Sequence, residues 1–183
     1  MIVRRERPED VPAVRAVVAA AFDGGGDGGG DGGGDGGGDG ADMIPVEVGL
    51  LDRLREDVGW IPGFSLVAEQ DGEVVGHVVA TRGAAGDRPA LGVGPVAVRP
   101  DRQGRGVGTA LLHALLGAAE SRDEELVVLL GEPGFYGRFG FVPAAEHGVD
   151  APDPAWGPSF QARAFTPDAP RGPFRYAAPF AGL

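Results

Sequence analysis

The chain has 183 residues, a formal net charge of −11, 43% hydrophobic residues and no cysteine. Its length suits one domain with a real core. Missing cysteine excludes disulfides, thiolate metal sites and a cysteine nucleophile. An acidic balance argues against a nucleic-acid-binding face, and no run approaches the ~20 apolar residues of a membrane span.

All sixteen basic residues are arginine, and Ala, Gly, Pro and Asp are heavily used. This points to a GC-rich bacterial coding background. The opening "MIVRRERPED" is charged and runs straight into fold-like sequence, so no signal peptide is expected and a cytoplasmic location is the default. About half of the net charge is local, because six aspartates fall within residues 23–42, a stretch without Lys or Arg.

In chain order, 2–5 is a short first strand. Residues 9–22 ("EDVPAVRAVVAAAF") carry apolar side chains at 11, 14, 17, 18, 21 and 22, a helical stripe. The four-residue Gly/Asp repeat that follows, within 23–42, has no apolar side chain to bury and is expected to be a disordered insert. Calcium-binding β-helix turns need a nine-residue period with an inward apolar residue, which this repeat lacks. A second helix is predicted over 46–58. "FSLVAEQDGEVVGHVVAT" reads as a β-hairpin, with Asp71-Gly72 supplying positive φ in its turn. Strands are predicted at 91–98 and 126–130, joined by a helix over 107–121. "FYGRF" is one helical turn, and "GFVPA" begins a further strand. The Pro-rich tail from residue 150 shows strand-like alternation only at 160–165. The expected fold class is α/β, an α+β mixed sheet flanked by helices, because a hairpin precedes one β-α-β crossover.

The segment "VRPDRQGRGVGTALL" (98–112) places glycines at 104, 106 and 108 between a strand and a helix, a setting that suits an anion. The dinucleotide fingerprint requires G-x-G-x-x-G directly after a strand; here the spacing is G-x-G-x-G after "RPDRQ". The P-loop requires a lysine, and the chain has none. Gln103-x-x-Gly106-x-Gly108 instead resembles the Q/R-x-x-G-x-G/A loop of the GNAT superfamily of N-acetyltransferases. "LLGEPGFYGRFGF" (129–141) resembles that superfamily's second signature. Together, "GPVAVRPDRQGRGVG" and "LGEPGFYGRFGF" are similar to a bacterial branch of it. The resemblance covers roughly residues 2–148, with 149–183 as a tail that completes the fold and says little about the substrate.

The resemblance implies a GNAT acyl-CoA N-acyltransferase fold with acetyl-CoA in a V-shaped opening between strands 91–98 and 126–130. Backbone groups near Val96 and Val98 would pair with the pantetheine amides. Gln103, Gly104, Arg105, Gly106, Val107, Gly108 and Thr109 would hold the pyrophosphate, and Phe135 would lie against the cofactor. Gly94 and Pro95 fit a bulge in the strand. Tyr136 would give a proton to the departing thiolate.

An acetyl transfer also needs a base for the amine. Glu132, after strand 126–130, and His77, in the hairpin, are the candidates, each with a structural alternative: a solvated loop carboxylate and a core histidine. With no cysteine, and with serines 65, 121 and 159 outside any nucleophile elbow, direct attack in a ternary complex is expected. Three scattered histidines give no metal site. The partner is an amine, on a small molecule or a protein, with no nucleic acid or membrane, and the chain is expected to be a monomer or homodimer. The rival reading is a catalytically silent acyl-CoA-binding or sensor module.

Overall fold

A computed structural model describes residues 1–23 and 45–181. The expectations for the Gly/Asp repeat, disorder against calcium, lie outside the described residues.

The chain opens with β1 (Ile2–Arg5), followed by α1 (Val11–Phe22) and α2 (Val46–Glu56). The long strands β2 (Trp60–Gln70), β3 (Glu73–Ala85) and β4 (Arg88–Val98) follow as an antiparallel meander. Then come α3 (Val107–Glu120), β5 (Leu126–Leu130) and the single turn α4 (Pro133–Tyr136). Two-residue strands β6 (Val142–Pro143) and β7 (Val149–Asp150) precede β8 (Phe160–Ala164) and β9 (Gly172–Arg175). The main path of the sheet runs β1-β2-β3-β4-β5-β8-β6, with β4 and β5 parallel and its other neighbours antiparallel.

The β2–β3 hairpin turns where expected: Asp71 and Gly72 have φ of 52° and 81°, the pair of left-handed residues that suits the twist of its strands. Both strands run further than the sequence pattern suggested. Several boundaries differ for local reasons. The first helix begins as a 3₁₀ turn at Pro8–Asp10, because the Asp10 carboxylate reaches back to the Arg7 N–H at 2.7 Å. The second ends at Glu56, since Asp57 is extended and its carboxylate accepts the Gly59 N–H at 2.7 Å. The strand expected at "GFVPA" is only two residues long: Pro143 has no N–H to donate, and a 3₁₀ turn follows at once.

One sheet face is covered by α3, whose Leu111, Leu112, Leu115 and Leu116 pack among Phe64, Leu66 and Val78. Each fully buried leucine contributes roughly 1.5–3 kcal/mol. A Cβ on Gly76 would lie 2.8 Å from Val107 Cγ1, so glycine there lets the start of α3 sit directly on the sheet. The other face is covered by α1 and α2 through Val14, Val17, Val18 and Leu51, against Val67, Val79 and Ala97.

The tail is more than an appendage. β8 pairs with β5 over five residues, from Leu126 with Ala164 to Leu130 with Phe160. Phe160, Ala162 and Phe174 form a second core with Leu126 and Val128.

Candidate functional site

β4 and β5 are paired over only three residues, Leu91 with Val127, Gly92 with Val128 and Val93 with Leu129. Beyond that point they separate. Val78 pairs with Val96 and Ala80 with Val93, so Gly94 and Pro95 together stand opposite Val79: a bulge, as the sequence suggested. Further along, the Arg99 N–H donates to the Val75 carbonyl at 2.9 Å. Alternate residues of an antiparallel strand point their amides the same way, so the amide groups of Val96 and Val98 face away from β3, into the gap that β5 leaves.

The loop after β4 is a cluster of backbone donors. Gly104 and Gly106 have φ of 69° and 82°, conformations that glycine enters without strain. The first helical bond of α3 is from Ala110 N–H to Gly106 O at 2.9 Å. The N–H groups of residues 104 to 109 donate no close, well-aligned backbone hydrogen bond among the described residues. Consecutive amides in such a turn, at the positive end of a helix, form an anion site. A Cβ at Gly104 or Gly106 would meet nothing within 4 Å, so the approach to the loop is open. Gln103 is part of its support: its Nε2 donates to Val98 O at 3.0 Å. Arg99 braces the base of the loop through Asp101 at 2.6 Å and Glu73 at 3.1 Å.

α4 connects this loop to a cavity. Phe135 lies 3.5 Å from the place a Gly108 Cβ would occupy and meets Tyr136 edge-on at 4.9 Å. Tyr136 lines a cavity of about 900 Å³, together with the β4 bulge and Leu129. Burial pushes the Tyr136 phenol above its ordinary pKa, and its hydroxyl makes no hydrogen bond among the described residues.

The two candidate bases are placed differently from the expectation. Glu132 is exposed and serves as the N-cap of α4, accepting the Gly134 N–H at 2.9 Å; it does not line the cavity. Short polar caps of this kind satisfy the helix's first amides. His77 is fully buried on the α1/α2 face, also away from the cavity. Its Nε2 lies 2.9 Å from Ser65 Oγ and 3.2 Å from Glu6, whose other oxygen pairs with Arg55 at 2.7 Å. The core-histidine alternative describes this position.

Sequence reasoning missed the far wall of the cavity. It comes from Phe22 and Glu47 at the facing ends of α1 and α2, and from Trp156, Tyr176 and Phe180 in the last part of the chain. A signal was present: six aromatic residues fall between 149 and 183, too many for a solvated tail.

A split parallel pair, an anion loop at a helix start and a phenol beside the split define an acyltransferase. The profile "Acetyltransferase (GNAT) domain" matches residues 62–143. A GNAT family acetyltransferase from Brucella melitensis, solved in complex with acetyl-CoA, is 32% identical with a TM-score of 0.74. That similarity covers 98% of this chain and 97% of that one. The chain belongs to the GNAT family. The Escherichia coli protein YhbS, solved in complex with CoA, gives a TM-score of 0.79 at 26% identity, covering 98% of this chain and 91% of that one. Its curated sequence from strain K12, an uncharacterized N-acetyltransferase, is 28% identical over 176 residues, 94% of this chain and 92% of that protein. The likeness thus runs through the tail, beyond the 2–148 span that the motifs alone suggested.

Proposed function

We propose that this chain transfers an acetyl group from acetyl-CoA to an amine by direct attack in a ternary complex. The observation that carries the reading is the run of unsatisfied amides at 104–109 beside the β4–β5 gap. Gln103, Gly104, Arg105, Gly106, Val107, Gly108 and Thr109 form the diphosphate cradle, with main-chain amides as the donors. The amides of Val96 and Val98 pair with the pantetheine as an added strand would. Phe135 walls the site between the cradle and Tyr136.

The amine nitrogen attacks the thioester carbonyl carbon, forming the C–N bond. The developing oxyanion is met by a backbone N–H of β4 that points into the gap and is not engaged by the pantetheine. When the C–S bond breaks, the sulfur keeps the electron pair and takes the Tyr136 proton. The amine's surplus proton leaves to water. Tyr136 suits its part because burial keeps the phenol protonated at neutral pH.

Gly108→Glu tests the cradle. Its Cβ meets only ordinary contacts, with Phe135 at 3.5 Å and Val98 at 3.7 Å, and an acid in the first turn of α3 favours the helix. The variant is expected to keep its melting temperature and to lose acetyl-CoA affinity by roughly a hundredfold or more, as buried like charges imply. Calorimetric titration reads the affinity. Undiminished binding by this variant rules out the cradle, and failure of the parent to release thiol with any of a broad panel of amines rules out the transfer.

A further inference from the structure

We infer that Arg138 holds the 3′-phosphate of CoA, and so favours CoA thioesters over donors that lack this group. This rests on the cradle reading above and extends it to the nucleotide end of the cofactor. The cradle at 104–109 accounts for the diphosphate; the remaining phosphate stands on the ribose. Arg138 lies in the 3₁₀ turn Gly137–Phe139 that continues α4. Its guanidinium is 4.7 Å from the centre of the Phe135 ring and 5.8 Å from that of Phe139. The same Phe135 ring comes within 3.5 Å of the place a Gly108 Cβ would occupy, in the first turn of α3. One aromatic ring therefore separates the guanidinium from the cradle, much as one ribose separates the diphosphate of CoA from its 3′-phosphate. The mount is firm, because Phe139 is buried and Phe135 packs against the core.

The charges around the cradle favour this side. Arg99 pairs with Asp101 at 2.6 Å and Glu73 at 3.1 Å, and Arg102 pairs with Asp101 at 3.3 Å. Two arginines there meet two carboxylates, which leaves no surplus charge for a further phosphate. Arg138 is exposed and forms no ion pair among the described residues. Only its Nε is engaged, donating to the Phe135 carbonyl at 3.2 Å. A carbonyl does not neutralise a guanidinium, so the charge stays whole. The two terminal nitrogens make no hydrogen bond among the described residues and can meet two phosphate oxygens side by side. The Nε bond and the two rings hold the group in one orientation, which lowers the cost of ordering it on binding. Glu132, the carboxylate of α4, sits at the opposite end of that turn, where it accepts the Gly134 N–H at 2.9 Å. Arg105 belongs to the cradle itself, between Gly104 and Gly106.

The test titrates CoA and dephospho-CoA calorimetrically into the parent, Arg138→Gln and Arg138→Lys. The parent is expected to bind CoA roughly tenfold more tightly than dephospho-CoA, the usual worth of a hydrogen bond between charged groups. Arg138→Gln is expected to bind both ligands alike, at the parent's affinity for dephospho-CoA. Arg138→Lys keeps the charge and is expected to retain part of the preference. A merely structural part for Arg138, bracing Phe135, would instead weaken both ligands equally and keep their ratio. Equal affinity of the parent for the two ligands overturns the 3′-phosphate site. A preference fully preserved in Arg138→Gln overturns the part given to Arg138. Neither result touches the cradle, which falls only if Gly108→Glu binds CoA as the parent does.

Discussion

The side-chain amide of Gln103 donates to the carbonyl oxygen of Val98 at 3.0 Å, tying the anion loop to the final residue of β4. One hydrogen bond therefore fixes the distance between the place for a diphosphate and the strand edge that faces the gap. Gln103→Ala is expected to leave thermal stability almost unchanged, because the residue is exposed. Acetyl-CoA affinity is expected to fall by up to roughly tenfold, the worth of a neutral hydrogen bond. Calorimetry with acetyl-CoA measures it, and an unchanged affinity would show the loop to be held without Gln103.

The acid role proposed for Tyr136 can be tested in two independent ways. Tyr136→Phe keeps the ring and is expected to lower kcat by roughly 10²–10³ with acetyl-CoA affinity nearly intact. Gly131→Ala leaves the phenol in the chain but displaces it: the new Cβ would lie 2.9 Å from Tyr136 Cδ2 and closer still to Cε2. A fall in kcat is expected there too. If Tyr136→Phe turns over at the parent rate, the tyrosine is only a wall.

Stability should depend on pH through the buried pair of His77 and Glu6. Burial holds the His77 imidazole below its ordinary 6.5, against the pull of Glu6, so the folded chain keeps it neutral. The unfolded chain takes up a proton below pH 6.5, and stability falls as pH drops below that value, by at most about 1.4 kcal/mol per unit. For Glu6, burial alone would raise the pKa. Hydrogen bonds with His77 and Ser65 and the nearby Arg55 outweigh it and bring the carboxyl down to about 2. Its contribution is full above 4.5 and is lost as pH falls toward 2. Urea midpoints from pH 7.5 to 4.5 test the histidine. His77→Gln should flatten the upper part of that profile, and a parent profile already flat there would disprove it.

Gly76→Ala probes the seat of α3. A Cβ would come 2.8 Å from Val107 and 3.0 Å from Leu111, so the helix must shift or the side chains must leave their rotamers. Destabilisation of about 1–3 kcal/mol is expected in chemical denaturation, with weaker acetyl-CoA binding, because α3 carries the loop at its start.

The geometry of the loop and of the strand was legible because it is local. The left-handed glycines at 104 and 106 and the Gly94-Pro95 bulge are set within a few residues of sequence, whereas the part proposed for Tyr136 came from the resemblance of "FYGRF". Glu132 and His77 misled for the opposite reason. Nothing in the sequence distinguishes a carboxylate that caps its own turn from one that faces a substrate. Nor does it say which sheet face His77 takes until β1 brings Glu6 beside it. The far wall of the cavity combines the ends of two helices with a segment more than a hundred residues later, and no periodicity encodes such a meeting. β8 was visible only as alternation at 160–165, because a strand of five residues states its own pleat and not its neighbour.

That neighbour has a consequence for how the chain is made. β5 lies between β4 and β8, yet residues 160–164 leave the ribosome about thirty residues after β5 itself. Through that interval the outer edge of Leu-Val-Val-Leu-Leu has no partner from its own chain, and such an edge is a template for any other nascent strand. The cofactor motifs are complete well before the sheet is closed. Synthesis stalled near residue 150 would release a chain with both signatures and an open, sticky border, prone to aggregate although no residue of either motif is missing.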